Sequence, residues 1–337
     1  MDTYLIVRVH GMSTKLLPEN TLLQMAYAKS LKDIVSLLSI TEYRELIDKS
    51  REISAEALHE VYRSIFLRRL ITLINMASGI HRDFLVEYAR IFEIENILYI
   101  LRKLVAGEEV DPSRLIAIPY SPIDYKSLSE ARSLENALKI LKATQTYSDI
   151  RDVAINKAVQ YRSVFPVEAE LNRIRYENLF KMLNSLAFLT VKNELKMLFG
   201  TEIDIYNIFA ITASVIYKFA QDLVQHSIIS IDGYLIPYNK VRKALKVPRS
   251  SELLNIFKAY ENVIENIIKE QEVEAYIIIQ KEIKRRILSR KIQKFTSFYD
   301  VILYLKKAEY EFRNLSMLTH AVQYNIPGEI IQQQLIL

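Results

Sequence analysis

Apolar residues recur at three- and four-residue steps along most of the chain, and sustained period-two alternation is hard to find. Ile94, Ile97, Leu98, Leu101, Leu104 and Val105 form one such stripe. That is the spacing of a helix that buries one face. Gly107 follows where a left-handed C-cap would end the helix. Leu58, Val61, Tyr62, Ile65 and Phe66 make a second stripe. Val301, Leu305, Ala308, Phe312 and Leu315 alternate four- and three-residue steps, the seam of a helix packed lengthwise on another. Thr201-Glu202-Ile203-Asp204, directly after Gly200, has the form of a capping box, so a helix is predicted to begin there with Asp204 bonding the cap's backbone N–H. The predicted class is all-α.

Composition supports that class. Only 6 of 337 residues are glycine, which disfavours tight hairpins. Half the residues are hydrophobic, enough for a large core. Cysteine is absent, which excludes disulfides, thiolate chemistry and Cys-ligated metals. The opening MDTYLIVRVHGMSTKLL lacks the features of a signal peptide, so a cytosolic setting is expected. The longest run free of Asp, Glu, Lys and Arg, Asn314 to Gly328, is too short to span a bilayer. A net charge of +5 permits an acidic partner but names none.

A repeat of roughly 110 residues is legible. Its clearest mark is an acid, two residues, an asparagine and a branched apolar residue: Glu93 with Asn96, Asp204 with Asn207, and Glu311 with Asn314. A second mark is an apolar-Pro step at Leu17-Pro18, Ile118-Pro119 and Ile236-Pro237. A third is a short leucine-rich amphipathic segment: LKDIVSLL from Leu31, LENALKIL from Leu134 and LLNIFKAY from Leu253. The order of marks is the same in each copy. Pro112, Pro119, Pro122, Pro237 and Pro248 cluster after the first two acid-asparagine helices. Three repeats are therefore expected, over residues 1–111, 112–228 and 229–337.

The chemistry-bearing motifs are mostly missing. Every glycine is isolated, so neither a dinucleotide turn nor a phosphate loop can be written. His10, His59, His81, His226 and His320 never approach the i,i+4 spacing of a metal pair, and no metal or other cofactor is expected. His59 beside Glu60 reads as solvated helix surface. Three acids with three amides could in principle hold a cation or move protons. Residues three apart share a helix face, however, and such pairs commonly bond backbone; the structural role is favoured. The strongest charge feature spans 281–294 and includes Lys281, Lys284, Arg285, Arg286, Arg290 and Lys291. It reads as a solvated helix face or as a contact for protein or lipid headgroups. Nucleic acid is a third reading, but no recognised binding module accompanies the run.

Several segments resemble a known family. These are Tyr4-Leu5-Ile6-Val7-Arg8-Val9 with Leu16-Leu17, FEIENILYILRK at 92–103, and AEYEFRNLSML with NIPGEIIQQQL at the C-terminal end. Together they are similar to the C subunit of A-type ATP synthases, equivalent to the d subunit of vacuolar ATPases. One departure is that the basic position occupied by Arg102 after the first motif holds Ala213 and His320 in the other copies.

The resemblance implies a funnel-like body of three pseudo-symmetric helical repeats, peripheral on the cytoplasmic face of the membrane. It implies a non-catalytic rotor part, seated on the membrane proteolipid ring and receiving the central axle subunits of the D and F type. No nucleotide or nucleic acid is expected to bind. A helical-repeat scaffold of another soluble complex, or an RNA-binding protein using 281–294, would share the same helical pattern.

Overall fold

Serine caps start several of the helices. In the computed structural model, which describes residues 3–50, 52–118, 120–247, 250–269, 281 and 297–337, Ser54 Oγ accepts from the Ala57 N–H at 3.2 Å. Ser30 and Ser133 do the same for Asp33 and Asn136. Each satisfies one of the donors a helix start leaves open, worth about 1 kcal/mol. The helices so opened are α3 (Leu31–Leu38), α5 (Ala55–Met76) and α8 (Leu134–Ala143). Before and between them lie α1 (Thr3–Ser13), α2 (Glu19–Ala26), α4 (Arg44–Lys49), α6 (Gly79–Ala106) and α7 (Tyr125–Ser129). Then follow α9 (Asp152–Tyr161), α10 (Phe165–Met182), α11 (Lys192–Tyr217), α12 (Gln221–His226), α13 (Tyr238–Ala244), α14 (Ser250–Ile256) and α15 (Glu261–Lys269). A long helix, Phe298–Gln323, and a short one, Gly328–Gln334, close the chain. No strand occurs among the described residues, so the fold is all-α as predicted. No described helix is long and apolar enough to cross a membrane.

Contacts divide the chain into two units, Met1–Arg82 with Tyr276–Leu337, and Asp83–Ala275. In the first, the α5 stripe of Leu58, Val61, Tyr62 and Ile65 packs with Leu315, Leu318 and Val322 of Phe298–Gln323, and Leu22, Met25, Ile34 and Leu38 complete the cluster. The seam residues Val301, Leu305, Ala308 and Leu315 are buried, as their spacing predicts. Polar bonds cross the same interface: the Tyr62 hydroxyl meets Thr319 Oγ1 at 3.0 Å, and His59 Nδ1 meets Ser316 Oγ at 3.0 Å. His59 is thus half-buried with its ring 5.4 Å from Phe312, not the solvated residue its neighbour Glu60 suggested. In the second unit, Ile94, Ile97, Leu98 and Leu101 of α6 are buried with Leu138 and Leu141 of α8 and Val167, Leu171 and Ile174 of α10.

Three long helices end in the same way. Gly107, Lys218 and Asn325 have φ of 71°, 54° and 55°, and each stands eleven residues after a motif asparagine, Asn96, Asn207 or Asn314. The next residue's N–H then reaches back five positions: Glu108 to Lys103 O at 2.9 Å, Phe219 to Ser214 O at 3.2 Å, Ile326 to Ala321 O at 2.9 Å. That bond belongs to the Schellman-type stop and satisfies a carbonyl the helix end leaves open. Glycine meets it without strain in the first helix; lysine and asparagine adopt it in the other two.

The predicted start at Gly200 is corrected by the structure. Helix α11 begins at Lys192 and runs straight through Gly200. The glycine serves close approach instead: a Cβ there would stand 2.8 Å from the backbone N of Tyr234. A chain crossing a helix this tightly mimics, in sequence, the small residue that precedes a helix start.

Candidate functional site: three buried acid-asparagine clamps

Each motif pair occupies one face of a long helix, as its three-residue spacing requires. The asparagines act identically. Asn96 Nδ2 donates to Ile116 O and its Oδ1 accepts from the Ile116 N–H, both at 2.8 Å. Asn207 holds Ile229 in the same two bonds at 3.0 and 2.8 Å. Asn314 holds Ile336 at 3.0 and 2.9 Å. The amide thereby takes the place of a backbone neighbour, fixing one residue of an irregular segment 20 or 22 positions downstream. An irregular segment could not otherwise satisfy both groups in a dry interior.

The acids fasten further segments, the first two downstream and the third near the start of the chain. Glu93 Oε1 accepts from the Tyr147 hydroxyl at 2.5 Å and from Arg90 Nη1 at 3.1 Å. Burial and the Glu93 carboxylate push the Tyr147 phenol well above its ordinary range, so it remains a donor. Asp204 accepts from the N–H groups of Leu235 at 2.8 Å and Ile236 at 3.1 Å, and from the Tyr260 hydroxyl at 2.7 Å. Its carboxylate faces the loop backbone directly because residue 233 is glycine; a Cβ there would overlap the carboxylate. Asp204 therefore does not bond a helix cap, as the capping-box reading had it. Glu311 accepts from the Leu17 N–H, the Tyr43 hydroxyl at 2.6 Å and Arg69 Nη1 at 2.7 Å. Burial and Glu311 raise the Tyr43 phenol well above its ordinary range. Arg69 also binds Glu42 through Nε at 2.9 Å.

All six motif residues are at most 4% exposed. Their oxygens and amides are directed at donors and acceptors of the chain itself, which makes the arrangement a set of fastenings. Among the described residues no group of three His, Asp or Glu lies close enough to hold a metal ion. Of the basic run, Lys281 is exposed and donates to Gln333 O at 2.5 Å. Lys284, Arg285, Arg286, Arg290 and Lys291 lie outside the described residues.

Sequence reasoning missed the tyrosines and Arg69. A signal was present: a tyrosine follows the first two short amphipathic segments, at 43 and 147, and another, Tyr260, ends the third. Arg69 carries no such mark, because the first two clamps have no counterpart at its place: Arg90 reaches Glu93 from within its own helix, and the donors described for Asp204 are two N–H groups and a phenol.

A buried charge cluster is interleaved with the third clamp along the same helix. Glu309, 3% exposed, bonds Arg313 at 2.9 Å and Lys306 at 3.2 Å. Burial opposes its charge, but Lys306 and Arg313 outweigh that and bring its pKa down to about 2. Because the folded value lies below the ordinary 4.5, the stabilisation is complete above that value and is lost as pH falls toward 2. Glu309→Gln is expected to flatten the acid limb of the stability curve between those values, read by urea unfolding at a series of pH; an unchanged slope would refute this.

A family model described as ATP synthase (C/AC39) subunit matches residues 5–334. Among curated proteins, the chain is 23% identical to the A-type ATP synthase C subunit of Methanococcoides burtonii, over 99% of this chain and 94% of that one. It is 23% identical to the C subunit of the A-type ATP synthase of Archaeoglobus fulgidus, over 99% and 96%. For the corresponding C subunit of Pyrococcus furiosus the figures are 21%, 98% and 89%. Identity is low, but the match reaches across both units and covers all six motif residues, and the chain belongs to the ATP synthase (C/AC39) subunit family.

Proposed function

We propose that this chain is a non-catalytic central-stalk subunit of an A/V-type rotary ATP synthase. In this reading it is a socket that links the membrane proteolipid ring to central axle subunits of the D and F type. It passes torque between them during ion-coupled ATP synthesis or hydrolysis. The observation that carries the reading is the family match over residues 5–334, which leaves neither unit outside it. Attachment is peripheral, at the cytoplasmic face, through protein contacts. No nucleotide, metal or nucleic acid enters the mechanism.

The clamps suit such a part. A body that transmits a twist needs helices that do not slide on one another, and apolar packing alone resists sliding less than directional bonds do. The reading includes three repeats, 1–111, 112–228 and 229–337. On that division each clamp ties its own repeat to another. Glu93 and Asn96 reach Tyr147 and Ile116, Asp204 and Asn207 reach Tyr260 and Ile229, and Glu311 reaches back to Leu17 and Tyr43.

The test is a pull-down of the full chain with purified ring proteolipid and axle subunits, paired with membrane fractionation. Co-purification with both partners, and release from membranes by a salt or chelator wash, is the expected result. Failure to bind either partner would overturn the proposal and favour a scaffold of another complex.

A further inference from the structure

One loop in the unit Asp83–Ala275 turns apolar side chains outward. Residues 183–191 join α10 to α11. Leu183, Phe188 and Val191 are at most 4% exposed and hold the loop to the core, whereas Leu186 and Leu189 are 87% and 68% exposed. The joint between α5 and α6, the helix pair that leads to the first clamp, takes only Ala77 and Ser78. The longer loop is therefore more than a connection.

The backbone holds that display in place. Leu186–Phe188 is a 3-10 turn, in which the Phe188 N–H donates to Ser185 O at 3.1 Å and the Leu189 N–H to Leu186 O at 3.2 Å. The Val191 N–H donates to Phe188 O at 3.0 Å. Between the two leucines, Phe188 fills the inward position with its ring 4.9 Å from that of Phe84, so the leucines are held out. Over residues 181–196 three lysines, Lys181, Lys192 and Lys196, stand against one acid, the half-buried Glu194. Lys181 lies in the last turn of α10, and Lys192 and Lys196 share a face at the start of α11. Lys192 Nζ donates to Asn184 Oδ1 at 2.8 Å, which places it at the base of the loop.

We propose that this loop anchors the chain to the surface of a lipid bilayer with anionic headgroups. Leu186 and Leu189 enter the boundary between headgroups and acyl chains, and the lysines reach the headgroup phosphates from behind them. Lys196 stands one helical turn, about 5 Å, beyond Lys192, which keeps both within the headgroup layer. The exposed tip is Leu186, Ala187, Leu189 and Thr190. It falls far short of the roughly 800 Å² that each side of a stable protein contact buries, whereas a bilayer closes round any convex apolar shape. The excess of lysine favours an anionic surface over a neutral one. The inference adds a direct lipid contact to the protein contacts of the rotor reading and does not depend on them.

The test uses the full chain and protein-free vesicles, of phosphatidylcholine alone or mixed equally with phosphatidylglycerol, read by flotation at low salt. The chain is expected to float with the mixed vesicles. Leu186→Ser with Leu189→Ser is expected to weaken that binding by about tenfold or more. Lys181→Gln with Lys196→Gln, both exposed, or omission of phosphatidylglycerol, is expected to weaken it by about tenfold. Ile40→Ser, at a residue 93% exposed in the other unit, is expected to change it by less than about twofold. The chain has no tryptophan, so Leu186→Trp supplies a lone indole. Its emission is expected to shift to the blue on mixed vesicles and to be quenched by brominated acyl chains. Undiminished binding by the leucine variant would reduce the effect to attraction of a basic protein and overturn the proposal, as would an indole that stays in water or no binding at all. Binding only to vesicles that carry ring proteolipid would overturn it in favour of a protein partner. The pull-down that tests the rotor reading contains no bilayer, so the two can fail separately.

Discussion

Arg69→Met is expected to lower the unfolding free energy by about 3–5 kcal/mol, the usual cost of removing one partner of a buried ion pair. The magnitude follows from what is left behind. Glu311 is 4% exposed, and without Arg69 its charge would be held, among the described residues, by the Tyr43 hydroxyl and the Leu17 N–H. Glu42 would lose its shortest partner at the same stroke. Glu311→Gln should cost less, about 1–3 kcal/mol, because an amide oxygen can still accept from Tyr43 or Leu17, and Arg69 keeps Glu42. The double variant, Arg69→Met with Glu311→Gln, removes both charges, so its loss should fall short of the sum of the two. Denaturant midpoints of the four proteins at neutral pH decide the matter. A loss under about 1 kcal/mol for Arg69→Met, or strict additivity in the double variant, would show that the pair does not fasten the third clamp.

The same network explains what could and could not be read in the sequence. The helices were legible because their burial is periodic: Ile94, Ile97, Leu98 and Leu101 are all buried, as a stripe with one face to a core must be. The acid-asparagine pairs were legible because the same backbone problem, an irregular segment crossing a long helix, is solved three times with the same residue types. Their partners were not. A hydrogen bond from Tyr43 to Glu311 joins residues 268 positions apart, and nothing local in either segment records it. Gly200 misled for a related reason. The signature of a helix start and that of a helix crossed by a loop both contain a small residue followed by polar ones, and only the position of Tyr234 separates them. The left-handed stops were half legible. Gly107 announces its conformation, while Lys218 and Asn325 adopt it through the bonds that Phe219 and Ile326 make to the preceding turn.

The second clamp offers the other large effect, and one that tests its geometry as well as its strength. Asp204→Ala would strand the N–H groups of Leu235 and Ile236 and the Tyr260 hydroxyl, of which the Ile236 and Tyr260 bonds are fully buried. At about 1–3 kcal/mol for each buried group left unpaired, a loss of about 4 kcal/mol is expected. Gly233→Ala should also be costly, because the new methyl would collide with the Asp204 carboxylate and stand 3.0 Å from Gly200 O. A carboxylate held by two backbone donors has little room to retreat, so a loss of about 2 kcal/mol or more follows from overpacking. Combined, the two changes should cost clearly less than their sum, since removing the carboxylate empties the space the methyl needs. Urea unfolding of both single variants and the double one measures that coupling directly. Simple additivity would mean that loop and carboxylate are not in register. A shortfall of about 1 kcal/mol or more would place the Gly233 backbone against Asp204, with the glycine present because the clamp needs the loop that close.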